Sequence, residues 1–249
     1  MGMGEMVVEN LSKSYPGSGA SGRGSRLRAL DRVIFRWREG ESIAVMGASG
    51  SGKSTLARLL LGLERPDAGA VRLDGTNLSA LSVQAWRPYR RKVQGVFQDA
   101  SGTLNPRMSA YVNMEEALRN LTDMTRRERR REIEGLMERF RMERELLKVP
   151  VRSLSGGQQR RLALLRALSV KPSYLVLDEV LSGLDRVSCD AVLETLADYR
   201  EGYGCSYLLI THDAYAAYRM ADRCLLLEEG RLTASAVKER RTDRQAIST

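Results

Sequence analysis

No stretch of the sequence approaches the run of about 18 apolar residues that a membrane-crossing helix requires. Its opening, MGMGEMVVENL, lacks the charged-then-apolar layout of a secretion signal. Both absences lead to the expectation of a soluble, cytoplasmic chain. Metal-binding residues are scarce too: there is one histidine, His212, and the three cysteines Cys189, Cys205 and Cys224 form no CxxC pair. That set excludes a recognisable zinc cluster and predicts reduced, mostly packed thiols. Internal repeats are also absent.

A length of 249 residues suffices for one large α/β domain, or for a core domain carrying a smaller insert, with a sizeable buried core. The formal charge of +9, from 40 Lys and Arg against 31 Asp and Glu, suits nucleic acid, anionic lipid headgroups or nucleotides about equally. Much of the excess is local. TRRERRREIEGLMERFRMERE, Thr125 to Glu145, mixes Arg and Glu around an apolar stripe of Ile133, Leu136, Met137 and Phe140, which is the pattern of a helix with a solvated outer face. Charge alone therefore does not argue for DNA binding.

Along the chain, EMVVENLSKS (5–14) and VIFRWR (33–38) have strand character, with Val33, Phe35 and Trp37 alternating as one buried face. Between them, PGSGASGRGS (Pro16 to Ser25) has the composition of a flexible surface loop. SIAVM (42–46) reads as a short buried strand running into Gly47, and LARLLLGL (56–63) as the helix that follows. VRLDG behind the Pro66–Gly69 turn, VQGVFQ (93–98), YLVLDE (174–179) and YLLITHD (207–213) supply further strands, and CLLLEEGRL (224–232) a closing hairpin. From about Asp99 to Ser169 the pattern is mainly helical. The expected fold class is α/β, with a helical segment inserted between the halves of the sheet domain.

GASGSGKST, Gly47 to Thr55, sits between strand and helix with the Gly-x4-Gly-Lys-Ser spacing of a phosphate cradle. Gly47, Gly50 and Gly52 let the backbone curl so that successive N–H groups, those of Ser49 and Ser51 among them, face a phosphate. Lys53 can reach terminal phosphates, and Ser54, followed by Thr55, can ligate magnesium. A second anion site stands at LSGGQQRR, Leu154 to Arg161, because a Ser-Gly-Gly turn that opens a helix presents unpaired N–H groups and the positive end of the helix dipole. YLVLDE delivers Asp178 and Glu179 to the carboxyl end of a buried strand, where Asp178 would hold magnesium through water and Glu179 would polarise an attacking water. His212 and Gln98 read two ways: a structural ring and a capping amide, or a phosphate donor and a sensor of water and metal.

The ordered set GASGSGKST, Gln98, LSGGQ, YLVLDE, SGLD (Ser182 to Asp185) and THD resembles the ATP-binding subunits of ABC transporters over essentially the whole chain. The resemblance implies a P-loop NTPase (RecA-like) core, residues 1–98 and 170–232, with an N-terminal antiparallel β region. It also implies an inserted helical subdomain, 99–169, and a short polar tail, 233–249. Expected chemistry is ATP hydrolysis with Mg2+. Tyr15 would stack on adenine, Gln98 would be the Q-loop and a metal-site residue with Ser54 and Asp178, and Asp185 would be the D-loop. Ser155, Gly156, Gly157 and Gln158 would form the signature, and His212 would be the switch that acts beside Glu179. In this family two ATPase domains pair head to tail, each ATP being held by the cradle of one and the LSGGQ helix start of the other, which accounts for two anion sites in one chain. The implied partners are a second ABC ATPase subunit, identical or not, transmembrane permeases and, indirectly, an extracytoplasmic solute-binding protein, with no nucleic acid. The implied location is peripheral, on the cytoplasmic face of the membrane.

After Gln98, DASGTLNPRMS is similar to the segment that faces the membrane partner in peptide, nickel and metallophore importers, which places Leu104, Pro106 and Met108 at that surface. DEVLSGLD carries Val180 and Leu181 where DEPTSALD is commoner, a variation that resembles the second ATPase of nickel-type importers. Oligopeptide-type ATPases usually carry a longer tail than the one after Leu232. The expectation is an importer ATPase of the nickel, metal-chelate or peptide type. The alternatives are an ATPase subunit of a phosphonate-cleaving (C–P lyase) complex and a nucleic-acid-directed ABC ATPase.

Overall fold

The computed structural model describes residues 4–17, 26–98 and 103–237. Two sheets organise it. In the first, of order β2-β1-β4-β5, β1 (Glu5–Pro16) lies antiparallel between β2 (Arg26–Arg38) and β4 (Ala68–Leu73), and β5 (Thr76–Asn77) pairs with β4. The second has the order β10-β9-β3-β8-β7-β6. There β3 (Ile43–Met46), β6 (Val93–Phe97), β7 (Tyr174–Asp178), β8 (Ser206–Ile210) and β9 (Arg223–Glu228) run parallel, and β10 (Arg231–Val237) closes the edge antiparallel to β9. Every residue of β7 and β8 is buried, as a parallel strand covered on both faces requires. This is the mixed α/β architecture expected, with its N-terminal antiparallel region.

Helix α1 (Lys53–Leu60) is held between the sheets, with Leu56, Ala57, Leu59 and Leu60 in one core with Val8, Trp37, Val45 and Val176. α2 (Val83–Lys92) is not evident from the sequence, because Pro88 and a run of basic residues break its apolar period. The insert contributes α3 (Ala110–Leu121), α4 (Arg126–Arg139) and α5 (Gly156–Ser169), which share a second core with α6 (Arg186–Tyr203). Ile133, Leu136, Met137 and Phe140 are buried as the stripe predicts, and Thr125 and Glu128 close a capping box at the start of α4. The helix stops at Arg139 rather than continuing to Glu145, since Arg141 turns left-handed at φ +51. α7 (Ala214–Met220) follows β8.

Several boundaries move. Hairpin pairing carries β1 to Pro16 and starts β2 at Arg26, seven residues before its side chains alternate clearly, so Pro16 is strand and residues 18–25 of the expected loop lie outside the described residues. β10 reaches Val237, which shortens the tail expected from 233; residues 238–249 lie outside the described residues. Cys189 and Cys205 are buried free thiols and Cys224 is half-buried. Among the described residues no helix is long and apolar enough to cross a membrane.

Candidate active site

Parallel register gathers the candidate residues along one edge of the second sheet. Asp178, the last residue of β7, pairs with Ile210 of β8 and Phe97 of β6, so Glu179, Thr211 and Gln98 leave their strands side by side. Val45 of β3 pairs with the same Ile210, and Gly47 opens the turn beyond. These are the carboxyl ends of the strands, where open α/β sheets bind ligands. A cleft of about 520 Å³ forms there, lined by Gly47, Ser49, Gly50, Gly52, Lys53, Ser54, Thr55, Gln98, Glu179, Ser182 and His212, with Tyr15, Leu27 and Ala29 on its far wall. Leu27, Ala29 and Ser182 were not singled out as site residues. Leu27 and Ala29 reach the cleft only because the β1–β2 hairpin folds over it.

The cradle is shaped by backbone. At Gly47 (φ +152) a Cβ would fall 2.2 Å from the carbonyl oxygen of Leu227, and at Gly52 (φ +107) 2.2 Å from that of Ala29. No side chain fits at either place. Gly52 precedes α1, whose N-terminus has no side-chain cap. The buried Lys53 ammonium donates to Gly47 O at 2.9 Å and Ala48 O at 2.8 Å, which holds it across the loop with a third proton for an anion.

Asp178 is 5% exposed, and its Oδ1 has no hydrogen-bond partner. Burial raises its pKa, opposed by a hydrogen bond from the Ser54 hydroxyl and reinforced by the neighbouring Glu179 charge. A buried, half-satisfied carboxylate beside a serine hydroxyl fits a hard cation such as Mg2+. Glu179 sits at φ +54, a left-handed conformation that costs a non-glycine residue about 1–3 kcal/mol. Its N–H donates to Ile210 O at 3.0 Å. Its carboxylate lies 2.9 Å and 3.2 Å from His212 Nδ1, so with Nδ1 protonated the ring donates to Glu179 and leaves Nε2 for another partner.

LSGGQ stands apart from this cleft. Ser155 caps α5, its Oγ accepting from Gln158 N at 3.2 Å while Gln158 Oε1 accepts from Ser155 N at 2.9 Å. Gly156 and Gly157 are exposed, with open space where a Cβ would point. Ser155, Gly157 and Gln158 line a separate cavity of about 240 Å³, whose floor is Leu164, Val180, Leu184 and Val192. Asp185 caps α6 beside it, its carboxylate accepting from Ser188 N at 3.0 Å and Ser188 Oγ at 2.6 Å.

The ABC transporter family model matches residues 30–182. The chain belongs to the ABC transporter family. It is 38% identical over 232 residues to the nickel import ATP-binding protein NikE of Brucella suis, an alignment covering 92% of this chain and 86% of that one. With the protein of the same name from Pseudomonas putida the identity is 39% over 230 residues, 92% and 84% of the two chains. Among solved structures, a dimeric post-hydrolysis state of the ATP-binding cassette MJ0796 bound to ADP and Pi superposes with a TM-score of 0.82 at 28% identity, covering 95% and 99% of the two chains. cbiO1 from Clostridium perfringens, part of the ABC transporter complex cbiONQ, gives 0.76 at 27% identity, covering 92% and 86%. The chain is thus an ABC ATPase that binds and hydrolyses ATP on a P-loop NTPase fold.

One expectation for this ABC ATPase needs correction. Leu104 is 3% exposed and packs in the core of the helical insert, so it cannot face a permease. Asn105 fixes the turn instead, its N–H donating to Asn113 Oδ1 at 2.7 Å and its carbonyl accepting from Asn113 Nδ2 at 3.1 Å. Pro106 and Met108 stay exposed, while Asp99 to Gly102 lie outside the described residues. Val180 and Leu181 are both buried, an apolar pair below the catalytic edge.

Proposed function

We propose that this ABC ATPase pairs head to tail with a second ATPase subunit and powers import of nickel, a metal chelate or a peptide through membrane permeases. The observation that carries the pairing is the separation of LSGGQ from the cleft: an exposed anion site that this chain's own nucleotide does not reach is suited to a nucleotide held by a partner. The choice of solute rests on kinship with the nickel import ATP-binding proteins. The working place of such a subunit is the cytoplasmic face of the membrane.

Tyr15 stacks on adenine, the loop N–H groups and Lys53 hold the phosphates, and Ser54, Asp178 and Gln98 hold magnesium, which when bound offsets charge on the terminal phosphates. Glu179 accepts the proton of the water that attacks the γ-phosphorus; the new O–P bond forms as the bond to the β-phosphate oxygen breaks, giving ADP and phosphate. His212, fixed through Nδ1, offers Nε2 to a γ-phosphate oxygen. Ser155 to Gln158 meet the partner's γ-phosphate, and Asp185 lies at the same interface.

Mixing Lys53→Ala chains with Ser155→Arg chains tests the pairing. Each mutant homodimer carries a lesion in both of its composite sites, whereas a mixed dimer keeps one whole site and should recover ATPase activity that grows with protein concentration. If the natural partner is a different ATPase, the lesions are split between the two subunits. Verified mixed dimers no more active than either parent would remove the shared site. For the solute, radioactive nickel uptake should require the permeases and wild-type chain and stop with Glu179→Gln.

A further inference from the structure

We propose that Glu64 is a positioning residue for Tyr15, holding the base platform at a fixed distance from the phosphate cradle. The inference rests on the reading that Tyr15 stacks on adenine. Tyr15 is the penultimate residue of β1 and pairs with Leu27 of β2; cross-strand partners project from the same face, and both line the cleft. A strand end fixes the Cα but leaves the ring free to swing. What stops it is at the hydroxyl end, which donates to Glu64 Oε2 at 2.5 Å and lies 3.5 Å from Thr55 Oγ1.

Glu64 is itself tied to the helix that carries the cradle. Its Oε1 is 3.8 Å from Arg58 Nη1 on α1, and its side chain is 25% exposed. The segment it opens is laced to β1: Lys13 Nζ donates to Arg65 O at 2.7 Å, Ser14 N to Asp67 Oδ2 at 2.8 Å, and Asp67 N to Ser12 O at 2.9 Å. Lys13 Nζ also lies 5.7 Å from the Tyr15 ring centroid. The ring is therefore referenced to α1 through the Glu64 carboxylate and, at longer range, the Thr55 hydroxyl, and α1 begins at Lys53. Base and triphosphate are read at the same time only if these two surfaces keep their spacing.

The experiment compares equilibrium binding of Mg-ATP and of inorganic tripolyphosphate, which has the charge and no base, to the full chain. Glu64→Ala should weaken ATP about three- to tenfold, the cost of ordering a side chain that was previously held, while tripolyphosphate stays within about twofold. Tyr15→Phe should match it, the double variant should be no worse than either single, and Glu64→Gln, which keeps an acceptor for the hydroxyl, should restore most ATP affinity. Unchanged tripolyphosphate binding also reports that each variant is folded. Equal loss of both ligands, unchanged ATP affinity in Glu64→Ala, or additive effects in the double variant would overturn the positioning role. Tyr15→Ala separates the two layers: if it leaves ATP affinity intact the stacking reading fails and the proposal with it, whereas if it weakens ATP and Glu64→Ala does not, only the positioning role fails.

Discussion

Two helices of this chain begin at glycine-rich turns, and they are finished differently. α1 starts behind Gly52 with no side-chain cap, and the loop before it is clamped by the carbonyls of Leu227 and Ala29. α5 starts at Ser155 with both ends of a capping box closed and its glycines facing open space. The first N-terminus is an anion site built by the fold, walled by neighbouring strands. The second ties only the N–H groups of Ser155 and Gln158 into its capping box, and on the proposed pairing an approaching surface completes it. Glycine serves backbone shape at one and, on the proposed pairing, clearance for an incoming partner at the other.

That difference is broken most severely in the chemistry. Lys53→Ala should weaken ATP binding to the isolated chain about 10- to 100-fold through loss of charged hydrogen bonds. Glu179→Gln should leave binding nearly intact and lower turnover by about 10²–10⁴. Ser155→Arg should leave the isolated chain's ATP affinity unchanged, because on the proposed pairing the lesion belongs to a partner's site. Titration of a fluorescent ATP analogue with each chain checks all three; weakened binding in Ser155→Arg would make the signature a site in cis.

Next in size is steric cost. Gly47→Ala puts a Cβ 2.2 Å from the backbone oxygen of Leu227, so a strand end must move, at about 3 kcal/mol or more. Gly156→Ala meets nothing within 4 Å. Thermal melting should show a large drop for the first and almost none for the second, while dimer ATPase should fail in both.

The same contrast explains what could be read in the sequence. The cradle, Asp178 and Glu179 were legible because strand–turn–helix order and apolar runs such as YLVL fix their place at a strand's carboxyl end, whereas His212 read two ways until the family resemblance gave it a role. LSGGQ was legible as a helix start, yet its distance from the cleft depends on how the helical insert sits, which no local pattern encodes. Leu104 was misplaced for a similar reason: in LNPRM it looks like a loop residue, and only the packing of α3 and α5 around it shows a core position. Leu27 and Glu64 were invisible because they reach Tyr15 through hairpin register and a turn after α1, contacts distant in sequence.

A smaller effect lies in the signature cap. Ser155→Ala removes the acceptor for Gln158 N and should cost about 1 kcal/mol, a fall of about 2–4 °C in melting temperature for a chain this size. Ser155→Asp, also a good cap, should keep the stability and lose the anion. A Ser155→Ala chain that melts with wild type would mean that the Ser155 cap does not stabilise the helix start.

The smallest expected change tests whether the cradle is incomplete without its cation. Asp178 and Asp185 sit at the two sites with opposite settings: burial raises the first, whereas hydrogen bonds from Ser188 hold the second below the usual carboxylate range. A carboxyl whose folded pKa exceeds its unfolded value adds stability that is fully present below the unfolded pKa, near 3.9 for Asp, and is lost as pH rises through the folded pKa. Asp178→Asn should therefore match wild type in acid and melt about 1–3 °C above it at pH 8 without nucleotide, since a neutral amide carries no charge to desolvate. Asp185→Asn has the opposite sign: its folded pKa is depressed, so the carboxylate's contribution exists above the unfolded pKa and the variant should melt no higher than wild type at pH 8. Mg-ATP then reverses the order at the cradle, because binding stabilises the wild type and the Asp178→Asn chain gains little. Differential scanning calorimetry across pH, with and without Mg-ATP, reads both signs, and an Asp178→Asn chain melting below wild type at pH 8 without nucleotide would show that the carboxylate is already satisfied within the chain.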